Sequence, residues 1–287
     1  MSAQADIVRE MLREADMWNR PPSEIRAAME SMPGQGMPEG VVASRKELGG
    51  VPCEVFRNRQ RTGRAVMYFH GGGFCLGIYA ANREFVAGLA QNLGADIYMP
   101  DYRLAPEHVF PAALKDAKLA YRGMLGLGYN RLLVMGDSSG CALALSALLK
   151  AKQGGEAMPD AIVMITPLLD LAGRGEESED AQQDPFRMKD PLALARLYTA
   201  GNDPKLPEIS PLYGNLAGLP PMLIHAAQYD VFAGDAQRFA ARTEEAGTAV
   251  KLKVWEQMWH IFPMQAAFVP EAAQALGEIA AFVGGML

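Results

Sequence analysis

Three cysteines, Cys53, Cys75 and Cys141, are too few and too scattered across 287 residues to staple a small secreted scaffold. An odd, dispersed set fits reduced thiols, and a cytoplasmic protein is expected. Basic residues are outnumbered: 27 Lys and Arg against 33 Asp and Glu leave a net charge of −6. Without a basic stripe, the chain lacks the phosphate-neutralising surface that nucleic-acid binding requires. No run of about eighteen apolar residues occurs, so no stable membrane insertion is expected. Residues Met1 to Asp6, soon followed by Arg9, Glu10 and Arg13, carry no continuous apolar stretch and predict no secretory leader. There is no low-complexity tract and no fixed-period repeat. Histidine is scarce as well, with four in the chain: His70, His108, His225 and His260.

Hydrophobic residues are plentiful at 49%, enough for a large core in a single α/β domain of this length. Ile7, Met11, Leu12, Ala15 and Trp18 recur at three-to-four spacing and predict a helical face over residues 4–20. Its polar side mixes acids with bases, which argues against a helix lying on a membrane. Pro21 and Pro22 stop this helix, and Ser23 is placed to cap a second one that ends before Pro33. From residue 41 the pattern becomes strand-like. Val41–Val42 and Cys53–Phe56 read as short strands. Compact apolar runs follow at 65–69, 96–99, 132–135, 161–165, 222–224 and 250–255. Helical patterns near 81–93, 111–125, 139–152, 233–246 and 271–283 alternate with most of them. Such alternation predicts βαβ units and a mostly parallel sheet covered on both faces. The acidic stretch 173–191, with Glu176, Glu177, Glu179, Asp180, Asp184 and Asp190, breaks the alternation. Two readings fit it: a solvated loop, or part of a mobile lid together with the N-terminal helices.

Gly136-Asp137-Ser138-Ser139-Gly140 is a G-x-S-x-G pattern between the apolar run Leu132–Met135 and an apolar helix with Leu143, Leu145, Leu148 and Leu149. Strand, tight turn and helix are the setting of a nucleophile elbow, where the serine hydroxyl is thrust outward. Small residues are needed two positions either side, because strand and helix pass closely. Ser138 has glycine at both; Ser139 has Asp137 and Cys141 there. Ser138 is therefore the candidate nucleophile. Ser139 offers its backbone N–H at the helix start to a developing anion. Asp137 reads as structural. His70-Gly71-Gly72-Gly73-Phe74 directly follows a strand, and consecutive glycines let backbone N–H groups approach a ligand. No dinucleotide or Walker fingerprint is legible there.

The base should follow the elbow on a loop beyond a strand, and His260 does so, after Val250–Trp255. His225 lies inside a strand and reads as a packed core histidine. His108 sits in a proline-flanked loop and reads as structural. In this fold the acid lies between serine and histidine. Asp230 stands just past the strand Pro221–Ala227, where catalytic groups gather. Its rival Asp235 reads as a cap for the helix starting there.

With these residues in place, the sequence resembles the bacterial hormone-sensitive-lipase-like, or family IV, esterases of the α/β-hydrolase superfamily. The matching residues are His70–Phe74, Gly136–Gly140, Asp230-Val231-Phe232, His260-Ile261-Phe262, Asp101–His108 and Phe110–Leu114. The resemblance runs from about residue 40 to the C-terminus. It implies an α/β-hydrolase fold, with an eight-stranded, mostly parallel sheet and helices on both faces. It also implies cap helices over residues 1–40 and a catalytic domain over 41–287, with a cap insertion at about 171–205. Further implications are an oxyanion hole from the N–H groups of Gly72, Gly73 and Ser139, no metal or organic cofactor, and cleavage of short- to medium-chain acyl esters. A homodimer is compatible with the resemblance, which leaves the oligomeric state open. Three departures stand out. Relatives usually have alanine at position 139, where only the N–H is needed. They often have glycine at 141, and leucine is common at 232.

The expected enzyme is a serine carboxylesterase using Ser138, His260 and Asp230 through an acyl-enzyme, with activity falling at acid pH as His260 protonates. Two alternatives stand beside it. One is a lactone, amide or carbamate hydrolase on the same site, separated by relative kcat/KM. The other is a non-catalytic small-ligand receptor on the same fold, which would be expected to lack a triad member.

Overall fold

The computed structural model describes residues 1–14, 17–34, 36–59, 63–173 and 179–285. Ala15 of the first helical pattern and Glu176 and Glu177 of the acidic stretch lie outside them. Eight strands form one sheet: β1 (Val41–Leu48), β2 (Val51–Asn58), β3 (Arg64–Phe69), β4 (Asp96–Pro100), β5 (Arg131–Asp137), β6 (Ala161–Ile165), β7 (Met222–Ala227) and β8 (Val250–Trp255). Their order is β1-β2-β4-β3-β5-β6-β7-β8. β2 runs antiparallel to both its neighbours, and every other pairing is parallel. This is the α/β-hydrolase sheet.

Period-two alternation divides the central strands between two cores. Ala65, Met67 and Phe69 of β3 and Val134 of β5 enter one core; Val66, Tyr68, Leu133 and Met135 enter the other. The first core is covered by α4 (Ala112–Leu125), α5 (Ser139–Gln153) and α7 (Ala233–Glu245), the second by α3 (Ala80–Leu93) and α8 (Pro270–Gly285). Both faces of the inner strands are thus dry, which is why they read as unbroken apolar runs rather than alternating ones. α5 is buried along nearly its whole circumference, packed directly behind the elbow.

The N-terminal helices are α1 (Ala3–Glu14) and α2 (Pro22–Ser31). Both differ from expectation. Residues 17–20 are not helical, and the apolar face of α1 is turned: Ile7 and Met11 are 62% and 66% exposed, while Ala5, Val8 and Leu12 face inward. α2 is entered through Pro21 with Pro22 in its first turn, and no side chain caps it, Ser23 included. A proline whose φ is already helical starts a helix without a cap. Within the acidic stretch a short 3-10 turn spans Glu179–Gln183, and α6 follows at Ala193–Thr199. This stretch meets the N-terminal region directly. Trp18 packs edge-on to Phe186 at 5.1 Å, Arg13 donates to the Gln183 carbonyl at 3.2 Å, and the Lys189 N–H donates to Asn19 at 2.7 Å. Among the described residues no helix is long and apolar enough to cross a membrane.

Candidate active site

The parallel register brings the carboxyl ends of β3, β5, β6 and β7 to one edge of the sheet. Ser138 stands there, between β5 and α5, with φ 50° and ψ −125°. Such a conformation costs about 1–3 kcal/mol for a non-glycine residue and persists only where the surroundings enforce it. They do. A Cβ on Gly140 would lie 2.1 Å from the Phe69 carbonyl oxygen, and one on Gly136 would lie 2.9 Å from the Gly140 carbonyl carbon. The two glycines let α5 leave the strand at this angle.

His260 comes in from the loop after β8. Its Nδ1 lies 2.9 Å from Asp230 Oδ2 and its Nε2 2.9 Å from Ser138 Oγ. A carboxylate only accepts, so in the neutral ring Nδ1 carries the proton and Nε2 is left to accept from the serine hydroxyl. Asp230 is buried, and its other oxygen accepts the Phe232 N–H at 2.9 Å. Burial pushes the His260 pKa down. The charge and hydrogen bond of Asp230, then the charges of Asp184 and Asp137, outweigh it and raise the value to about 9. Backbone bonds fix the loop: the His260 N–H donates to Asp184 Oδ2 at 3.1 Å and the Ile261 N–H to Thr166 Oγ1 at 3.0 Å.

The glycine loop after β3 faces Ser138. Gly72 and Gly73 have φ of 109° and 60°, which favours glycine at both. Asp137 anchors the loop: its Oδ1 accepts the Tyr68 hydroxyl at 2.7 Å and the Gly71 N–H at 3.0 Å. Burial, partly offset by these two bonds, raises the Asp137 pKa to about 6. Asp137 is structural, as expected, and its task is to hold this loop. Among the described residues no acceptor takes the N–H groups of Gly72, Gly73 or Ser139. The Asp101–His108 motif supports the loop from behind. Tyr102 stacks on His70 at 4.3 Å and donates to the His70 carbonyl at 2.7 Å.

The rival residues fall elsewhere. His225 is buried in β7 against Trp255, and burial lowers its pKa to about 4. His108 is exposed. Asp235 caps nothing on its own helix; it accepts the Leu169 and Asp170 N–H groups at 2.9 Å each and pairs with Arg238, holding the loop after β6. Both departures at the elbow make bonds. The Ser139 hydroxyl, beyond the expected N–H, accepts the Phe74 N–H at 3.3 Å, and the Cys141 thiol donates to the Gly136 carbonyl at 3.1 Å. Asp184 and Thr166 are site residues that sequence reasoning missed. One is an acid among many in a polar stretch, and the other is an isolated threonine in a loop.

A cavity of about 780 Å³ opens over Ser138 and His260. Met17, Trp18 and Met29 line it from the N-terminal region, Phe186, Met188 and Leu194 from the acidic stretch and α6. Among the described residues no cluster of His, Cys, Asp and Glu could hold a metal ion.

Residues 66–264 match the family model of the α/β-hydrolase fold. An acetyl-hydrolase of Streptomyces hygroscopicus is 34% identical over 260 residues, 89% of this chain and 86% of its own. The crystal structure of an esterase from the bacterial hormone-sensitive lipase family superposes with a TM-score of 0.92 at 33% identity, covering 99% of this chain and 98% of that one. That of EstE5, soaked with p-nitrophenyl butyrate, superposes at 0.94 with 30% identity, covering 100% and 99%.

Proposed function

Since the chain belongs to the α/β-hydrolase family and, within it, to the bacterial hormone-sensitive-lipase-like carboxylic ester hydrolases, we propose that it cleaves short- to medium-chain acyl esters with Ser138 as nucleophile, His260 as base and Asp230 as acid. The observation that carries this reading is the bridge made by His260, 2.9 Å to Ser138 on one side and 2.9 Å to Asp230 on the other. Both distances lie within the reach of proton transfer, about 2.6–3.2 Å.

His260 Nε2 takes the Ser138 proton as Oγ attacks the ester carbonyl. Asp230 keeps the imidazole in the accepting tautomer and stabilises the imidazolium. The N–H groups of Gly72, Gly73 and Ser139 receive the oxyanion, each donor contributing roughly 3 kcal/mol in comparable sites. The imidazolium returns its proton to the departing alkoxide, which leaves as alcohol. A water deprotonated by the same His260 then attacks the acyl-serine, and the acid is released.

Acyl length is argued from the cavity. Its volume falls in the range of small-molecule sites, and methionine walls adapt to different alkyl chains. The relative described as an acetyl-hydrolase and the butyrate ester soaked into EstE5 point the same way. Residues 1–40 and the segment from 171 to 205 together act as the cap over a catalytic domain beginning at residue 41, because both supply the wall opposite Ser138. Three unpaired, buried thiols support a reducing, cytoplasmic location.

The test is hydrolysis of p-nitrophenyl esters from acetate to palmitate, with Ser138→Ala beside the wild type. Turnover concentrated on the short and medium esters and lost in the variant is expected. A maximum at palmitate would refute the length assignment, and an active variant would refute the nucleophile.

A further inference from the structure

Asp184 is 4% exposed, although it belongs to the most acidic and least apolar stretch of the chain. Carboxylates are seldom buried this deeply without a partner, and among the described residues no Lys or Arg pairs with it. What it does have is two backbone donors, one for each oxygen. The Phe186 N–H meets Oδ1 at 2.9 Å and the His260 N–H meets Oδ2 at 3.1 Å. The His260 imidazole, once positive, favours its charge, and the charge of Asp184 acts on the ring in the same sense as that of Asp230. Asp137, at the end of β5, is the third acidic group whose charge reaches the ring.

We propose that Asp184 is a positioning residue for the base: a second carboxylate, supplied by the cap, that holds the backbone of His260 in register and stabilises the imidazolium formed during acyl transfer. The inference rests on the reading of His260 as base. Asp230 approaches the ring from the hydrolase core, whereas Asp184 approaches the same residue from the segment that Trp18, Arg13 and Asn19 tie to the N-terminal region. The base is therefore complete only with the cap seated, and the acyl pocket and the proton acceptor form together. Burial and the neighbouring Asp230 raise the Asp184 pKa to about 7. Its charge is thus favoured by a positive His260 and opposed by Asp230.

The experiment is the pH dependence of kcat/KM for p-nitrophenyl butyrate in the wild type, Asp184→Asn and Asp184→Ser, with Ser138→Ala as control. Removing a negative charge lowers the pKa of a neighbouring imidazole, so the acid limb should move to lower pH by about one unit in both variants. The plateau kcat should fall roughly tenfold while KM changes less than about threefold. The shape of the profile is read on whatever fraction is active, so partial unfolding leaves the measurement intact. An unmoved acid limb, with kcat and KM altered together, would reduce Asp184 to a tether for the cap and overturn the proposal. Loss of all turnover at every pH with the fold intact by circular dichroism would overturn it too, since a supporting charge is not worth that much. A wild type without turnover, or an active Ser138→Ala, would instead strike the assignment of the triad.

Discussion

The two halves of the proposed catalytic site are built by opposite means. The serine and oxyanion half comes from two short runs, His70–Phe74 and Gly136–Gly140, at the ends of neighbouring strands β3 and β5. It is held by backbone fit: glycines where a Cβ would strike carbonyl groups, and a buried Asp137 bonded to the Gly71 N–H. The base and acid half comes from single residues on separate loops, Asp230, His260, Thr166 and Asp184, joined by side-chain hydrogen bonds. One half is rigid through steric exclusion, the other through polar contacts that can be lost one at a time. The first should fail by misfolding, the second by losing rate in a folded protein.

The sharpest break should come from the acid. Asp230→Asn presents an amide to Nδ1 and favours the wrong imidazole tautomer, so kcat should drop by about 10⁴-fold while the melting temperature moves little. A drop below tenfold would mean that Asp184 or another group carries the role of Asp230.

On the other half, Gly140→Ala places a methyl 2.1 Å from the Phe69 carbonyl oxygen, with backbone rather than a flexible side chain in its way. Destabilisation of about 3 kcal/mol or more is expected in chemical denaturation. A variant that folds normally but hydrolyses esters slowly would show that this half, too, fails through rate.

The contrast also predicts a pH signature. His260 accepts a proton only when neutral, and its pKa is raised above the usual 6.5 to about 9, with the carboxylates outweighing burial. The value of kcat/KM should therefore climb from pH 6 through the alkaline range. The acid limb belongs mainly to the polar half: Asp137→Asn should move it less than Asp184→Asn does. A plateau already reached at pH 6 would contradict the carboxylate cluster around the ring.

The same division decides what was legible beforehand. A glycine pattern between an apolar strand and an apolar helix is a local signal with a steric cause, and the structure has Ser138 in the tight turn between β5 and α5, as that pattern implies. His260 and Asp230 were reachable because the order of strands leaves few loops for them, and the structure joins His260 to Ser138 on one side and to Asp230 on the other. The sheet was readable from its apolar runs. Ile7 and Met11 were misjudged because periodicity gives the pitch of a helix, not which side meets its neighbours. Asp235 looked like a cap by position, yet the backbone N–H groups it accepts are those of Leu169 and Asp170, more than sixty residues away. Asp184 carries no local mark, since its partner, the His260 N–H, lies 76 residues further along the chain.

Ser139 gives the smallest and most discriminating test, because it adds a polar contact to the steric half. The chemistry asks only for the backbone N–H of this residue, so the hydroxyl takes no direct part in it. In this chain it accepts the Phe74 N–H and ties the glycine loop to the start of α5. At 3.3 Å between neutral groups the bond is worth about 1 kcal/mol. Ser139→Ala keeps the backbone N–H for the oxyanion and leaves the Phe74 N–H buried without that acceptor. The melting temperature should fall by a few degrees, and kcat by roughly threefold to tenfold, with the pH profile unchanged. A shifted acid limb would tie Ser139 to the base instead. Unaltered rate and stability would show that the glycines, Asp137 and Tyr102 already hold the loop without the Ser139 hydroxyl.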